Sequence, residues 1–213
     1  MPPGSIPSRL QIGRAGRQEN IRAGEKCFFL DSLYGTNRDL GRCCDIKTPS
    51  PCAPLNVQCG FSEMKTLFNI PDRNEVFDRL TGVCPDSQRC WGSMSAHQMI
   101  CHLSDSFRAA LGEKQISQSS TVFKRTVYKW AALWLPFHWP HGIKTRPEMD
   151  QHQGGTPPAE FASDLEKLRI LLGRFCNSEG EFAPHATLGQ MSRTERMRHA
   201  YLHIDHHLRQ FGS

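Results

Sequence analysis

A chain of 213 residues with 38% hydrophobic and 22% charged side chains has enough apolar material for one packed domain with an appendage. Its formal charge of +5 arises from 26 Lys and Arg against 21 Asp and Glu, interleaved with no basic block, which argues against a nucleic-acid partner. No apolar run approaches the roughly 20 residues of a membrane span, and no hydrophobic signal core follows the N-terminus. A cytoplasmic location is therefore expected. The nine cysteines, none in a CxxC pair, are expected to be reduced thiols.

Residues 1–63 stand apart. They hold six prolines, seven glycines, five of the cysteines and no histidine. Cys43, Cys44, Cys52 and Cys59 match no zinc-ligand spacing, and Glu19 and Glu25 argue against an organelle-targeting segment. The expectation is a disordered extension, or translation from upstream of a start at Met64. The folded domain is then 64–213.

From Met64 the pattern is helical. Asp72-x-x-Glu75 reads as a capping box opening a helix over 72–82. Ser95-x-x-Gln98 opens a second over 95–111, with Ala96, Met99, Ile100, Leu103, Phe107 and Ala110 as its apolar stripe. Phe123, Val127, Trp130 and Trp134 recur at helical spacing and predict a helix over 121–135, ended by Pro136. A long loop follows, and loops of that length tend to be functional or disordered. Trp139, Lys144 and Arg146 make it a candidate pocket wall. Thr156-Pro157 reads as a cap with proline at the first helical position, starting a helix over 157–175. Ser192-x-x-Glu195 caps the last helix, 192–210, and Gly212 ends it. No convincing strand and no internal repeat is visible. The fold class is all-α: a four-helix bundle of 72–82, 95–111, 157–175 and 192–210. The extra helix and long loop between the second and third core helices permit an up-down-down-up topology.

The last helix carries the strongest chemical signal. His203 and His207, four apart, share one face, at the rim of a stripe of Met197, Ala200, Tyr201, Ile204, Leu208 and Phe211. His102 sits on the rim of the second helix. Across a bundle these three can converge, and three imidazoles suit Zn²⁺, Ni²⁺ or Fe²⁺. Three protein ligands leave a position open for water or substrate. His206 lies further from the stripe and is expected to stand behind the ligands, if it is not simply solvated as His152 and His199 are. His97, Arg198, Asp205 and Arg209 are expected on polar faces. Asp105, one turn beyond His102, is expected at the surface. Orienting a ligand, or accepting a proton, is its alternative role. No HExxH is present, which disfavours a zincin protease.

The segments MKTLFNIPDR, WGSMSAHQMICHLSD and YLHIDHHLRQFG, in that order, resemble the DinB/YfiT-like superfamily of metalloenzymes, in a branch of uncharacterised function. The resemblance covers about Met64 to Phe211. It implies a four-helix bundle with one histidine ligand on the second core helix and two on the last, here His102, His203 and His207. It also implies a metal-dependent transferase acting with a low-molecular-weight thiol on a small-molecule substrate. The HHLRQFG ending departs from the commoner pattern, in which a small residue precedes Gln. A metal-dependent hydrolase is the alternative, as is a non-catalytic bundle that binds a metal or ligand or forms a homodimer.

Overall fold

The computed structural model describes residues 64–213; the expectations for 1–63, including Cys43, Cys44, Cys52 and Cys59, lie outside them. The described residues form five α-helices and no strand. These are α1 (Ile70–Thr81), α2 (Ala96–Ala110), α3 (Lys129–Trp134), α4 (Phe161–Asn177) and α5 (Arg193–Gln210). A π-helical turn, Lys124–Tyr128, leads into α3, and a 3-10 turn, Pro147–Met149, lies in the long loop. The all-α expectation holds. Among the described residues no helix is long and apolar enough to cross a membrane.

The hydrophobic stripes explain the packing. Leu80, Leu103, Leu168, Leu172, Ile204 and Leu208 are fully buried in one core shared by α1, α2, α4 and α5. Each such side chain contributes about 1.5–3 kcal/mol by leaving water. α2 packs on α4, α1 on α5, and α3 on α5. Polar bonds fix the α1–α5 register: Arg79 Nη1 pairs with Asp205 at 2.8 Å, and Asp205 also holds Arg209 at 2.9 Å. Arg198, expected in solvent, donates from Nε to Leu133 O at 3.1 Å and also reaches Lys65 O. Asp205 and Arg198 thus serve as ties between segments, not as a solvated face.

Helix starts show where local chemistry decides. Ser95 and Ser192 form the expected reciprocal caps with Gln98 and Glu195. Asp72-x-x-Glu75 does not. Its helix begins at Ile70, with Asp72 instead accepting from Thr66 N at 2.8 Å and Glu75 paired with Lys65. Likewise α4 begins at Phe161 and not 157, because Glu160 supplies the cap to Ala162 N and Ser163 N.

Thr156 is occupied elsewhere. Its N–H and Oγ1 donate to the two Asp105 oxygens at 2.8 and 2.6 Å. Lys114 Nζ lies 2.9 Å from the same carboxylate. Asp105 is fully buried, so its surface placement is corrected: it ties α2 to the end of the long loop. Gly155 sits so close to the backbone of Asp150 that a Cβ would fall 2.7 Å from its carbonyl carbon. A glycine is therefore needed where the loop folds back.

The aromatic stripe of the 121–135 segment is also corrected. Phe123, Val127 and Trp130 are 62%, 58% and 58% exposed, while Leu133 is the buried residue. The π-helical turn changes the register, so the four-three-four spacing does not face the core. Cys84 is disulfide-bonded, against the expectation of reduced thiols throughout, whereas Cys101 and Cys176 are free and buried.

Asp105→Asn leaves Lys114 without its charge partner at a buried carboxylate site. It is expected to cost about 3 kcal/mol in urea unfolding and to open the 147–156 segment to limited proteolysis. A cost below about 0.5 kcal/mol with unchanged proteolysis would show that something else holds the loop.

Candidate metal centre

Two helices, α2 and α5, bring His102, His203 and His207 together. One ligand atom from each lies within 4.8 Å of the other two, and His102 Nε2 is 3.2 Å from His203 Nε2. Nitrogens bound at about 2.0–2.1 Å around a tetrahedral zinc ion are roughly 3.3 Å apart, so this spacing fits a divalent metal with small side-chain adjustments.

The orientation of each ring is set from behind. His102 Nδ1 is 3.0 Å from Met149 O. A carbonyl only accepts, so this nitrogen carries the proton and Nε2 presents a lone pair. His207 Nδ1 is 3.0 Å from Gln210 Oε1. Gln210 Nε2 donates to Trp91 O at 2.9 Å, which fixes the amide orientation and makes His207 Nδ1 the donor. Its Nε2 is again the free lone pair. His203 Nδ1 faces Ser106 Oγ at 3.3 Å, and a hydroxyl can donate or accept. Two rings thus have a set tautomer and the third can adjust. Without an ion, His203 Nε2–H can donate to His102. With one, the proton on Nδ1 can donate to Ser106.

The Trp91-Gly92 turn is part of this device. Gly92 has φ 78°, and a Cβ there would lie 2.6 Å from Gln210 Nε2, so glycine admits the amide that orients His207. Met149 and Gln210, unlike the histidines, escaped sequence reading. Met149 acts through its carbonyl, which no side-chain motif reveals. Gln210 stands at i+3 from His207, a spacing that could have marked it.

Burial pushes all three imidazoles below the ordinary histidine value. At His102 the Met149 bond and the Asp105 charge partly oppose it. At His203 and His207 the neighbouring imidazoles add to it. All three are therefore neutral at pH 7, the form that binds metal.

The surroundings correct the solvated reading of two further histidines. His199 and His206 are buried. His199 rings against His185 at 4.6 Å and Trp139 at 5.3 Å. His206 lies edge-on to His207 at 5.4 Å, with its Nδ1 buried and unpartnered. It touches the His207 ring without bonding to it. Trp139 reaches the site, 6.2 Å from His203, with its Nε1 donating to Ala132 O at 2.8 Å. Lys144 is exposed. Arg146 O accepts from Met149 N at 2.9 Å, and the Arg146 charge bears on His185 and Glu148. The loop meets the site through Trp139 and Met149.

A second group, His97, Cys101 and Asp164, also has metal-like spacing. Its carboxylate is already taken: Asp164 accepts from His97 at 2.9 Å, Ala159 N at 2.9 Å and Lys167 at 2.9 Å. Burial pushes this carboxyl up, but those bonds outweigh it and hold it below the usual range. Burial, with the Asp164 charge, pushes the Cys101 thiol up to about 12, so it stays protonated and is a poor ligand. This group ties α2 to the start of α4, which corrects the polar-face placement of His97.

Residues 63–213 match the family model described as Protein of unknown function (DUF1569). The chain belongs to that family. No curated protein and no solved structure matches it. The DUF1569 region contains every residue of the candidate site.

The buried histidines make stability depend on pH. His185 is lowered to about 3, by burial and then the Arg196 and Arg146 charges. His206 is lowered to about 4, by burial first. Below 6.5 the unfolded chain takes up protons that the folded chain refuses, so stability falls as pH drops from there toward these values. Chelator-treated protein is expected to lose melting temperature steadily from pH 7 to pH 4. His185→Gln should flatten that slope. An equally steep slope in the variant would contradict the assignment.

Proposed function

We propose that this DUF1569 protein is a metal-dependent transferase of the DinB/YfiT-like superfamily, with His102, His203 and His207 holding Zn²⁺, Ni²⁺ or Fe²⁺ in an up-down-down-up four-helix bundle. The observation that carries the metal reading is the Nδ1 bonding. Met149 and Gln210 set the tautomers of two buried, neutral rings, which leaves their Nε2 lone pairs available in a cluster whose ligand atoms lie within 4.8 Å of one another, an arrangement a cation can use. Three ligands leave room for a low-molecular-weight thiol and a small-molecule substrate.

A bound divalent ion would lower the pKa of a thiol beside it and so give a nucleophile near neutral pH. The chain's own residues do the rest. Gln210 and Met149 hold two rings in their binding tautomer. Ser106 lets His203 adjust. Trp139 covers one side, and Asp105 keeps the Met149 loop in place through Thr156. A cytoplasmic homodimer is the setting we propose.

Metal content is the test, measured by mass spectrometry on protein purified without a histidine tag. His102→Ala, His203→Ala and His207→Ala should each lose stoichiometric metal, while His97→Ala and His199→Ala retain it. Gln210→Ala should weaken affinity about 10–100-fold, because it frees the His207 ring. Consumption of added thiol with an electrophilic substrate tests the transferase. Product formed without thiol loss would favour the hydrolase. Wild type without metal after reconstitution would leave a non-catalytic bundle.

A further inference from the structure

We infer that the cavity beside the histidine cluster is an anion subsite that seats the carboxylate of a small organic acid on Arg196. The cavity has a volume of about 130 Å³, room for roughly ten water-sized groups at ~10–15 Å³ each. Ser106 lines it from α2, and Arg196, His199 and His203 line it from α5. His203 belongs to both the cavity and the candidate metal ligands, so a molecule seated here reaches the triad. The inference deepens the transferase reading and rests on it for what the bound acid would meet.

Arg196 carries the case. It is 4% exposed, and burial lowers its pKa only to about 10, so it is charged at neutral pH. Its Nη2 donates to Ala183 O at 2.8 Å, and its Nη1 has only the Met191 sulfur at 3.7 Å. Its Nε has no partner. Among the described residues no carboxylate pairs with it, and no Asp or Glu lines the cavity. A buried, unpaired guanidinium is costly, and a structure that retains one at a cavity wall is suited to a ligand of opposite charge.

The neighbours agree. His185 Nδ1 accepts from Thr187 N at 3.2 Å and Leu188 N at 3.1 Å, so the neutral ring carries its proton on Nε2 as a further donor. Lys114, the other cation at the wall, is already paired with Asp105. One uncompensated guanidinium matches one carboxylate, whose planar oxygens suit its fork. Phe107, Ala109, Ala110 and Phe175 supply apolar wall for a short carbon chain.

The test is calorimetric titration of the full chain, zinc-loaded and chelator-stripped, with butyrate, butyramide and inorganic phosphate. Butyrate should bind both forms, with butyramide and phosphate at least about tenfold weaker. Arg196→Met should lose butyrate affinity at least about tenfold while keeping the zinc content of wild type, and Arg196→Lys should fall between. Butyrate binding unchanged in Arg196→Met would overturn the inference. So would equal affinity for butyramide, tighter phosphate binding, or butyrate binding that vanishes with the zinc, which would put the acid on the metal. If Arg196→Met does not fold, the Nε–H resonance of Arg196 in wild type replaces it: a saturable shift with butyrate supports the subsite, and no shift overturns it. Arg196-dependent butyrate binding in a protein that takes up no zinc would leave the anion subsite standing and remove the metal reading.

Discussion

The constraint on which the rest depends is a ladder of buried polar side chains along one side of α5. Arg196, His199, His206, His207 and Gln210 are all buried, and His203 is half-buried among them. Apart from the adjacent His206 and His207, they follow one another at three- and four-residue steps, so a single helix carries them past the apolar core on one flank. Polar groups in such a place are costly unless bonded. The surrounding architecture answers that demand piece by piece. The long loop brings the Met149 carbonyl, α2 brings Ser106, and the Trp91-Gly92 turn anchors Gln210. Two of the nitrogens fully shielded from water are left without a hydrogen-bond partner, His206 Nδ1 and Arg196 Nε.

This view gives the peripheral elements their reasons. Asp105 does not act on the histidines by hydrogen bonding. It secures Thr156 and Lys114, and so holds the loop whose 3-10 turn places Met149 against His102. The glycine of the Trp91-Gly92 turn serves the same end from the other side, by admitting Gln210. α3 is short and meets the body of the protein through Leu133, Leu188 and Met191. Its aromatic face is left outward, while Trp139, just beyond it in sequence, turns back onto His199 and His203.

Much of this was legible in the sequence where local rules and packing agree. The Ser95 and Ser192 boxes mark helix starts because nothing competes for those side chains. The His203/His207 spacing identified its own face because the apolar stripe beside it is strong. Legibility fails where a distant partner outbids a local one. Thr156 reads as a cap, but Asp105, distant in sequence, claims it. Asp72 reads as a cap, but it accepts from Thr66 N instead. The π-helical turn at Lys124–Tyr128 breaks the four-three-four periodicity of the 121–135 segment. The polarity of His199 reads as solvent exposure and Arg196 belongs to no motif, although their spacing from His203 puts both on its face.

The central claim is that the three histidines, and not the His97-Cys101-Asp164 group, hold the ion. The most direct measurement is an anomalous difference map from a crystal grown with zinc, recorded on both sides of the zinc absorption edge. The account predicts one strong peak within bonding distance, about 2.0–2.1 Å, of the Nε2 atoms of His102, His203 and His207. A peak at Asp164 and Cys101, with none among the three histidines, would contradict it.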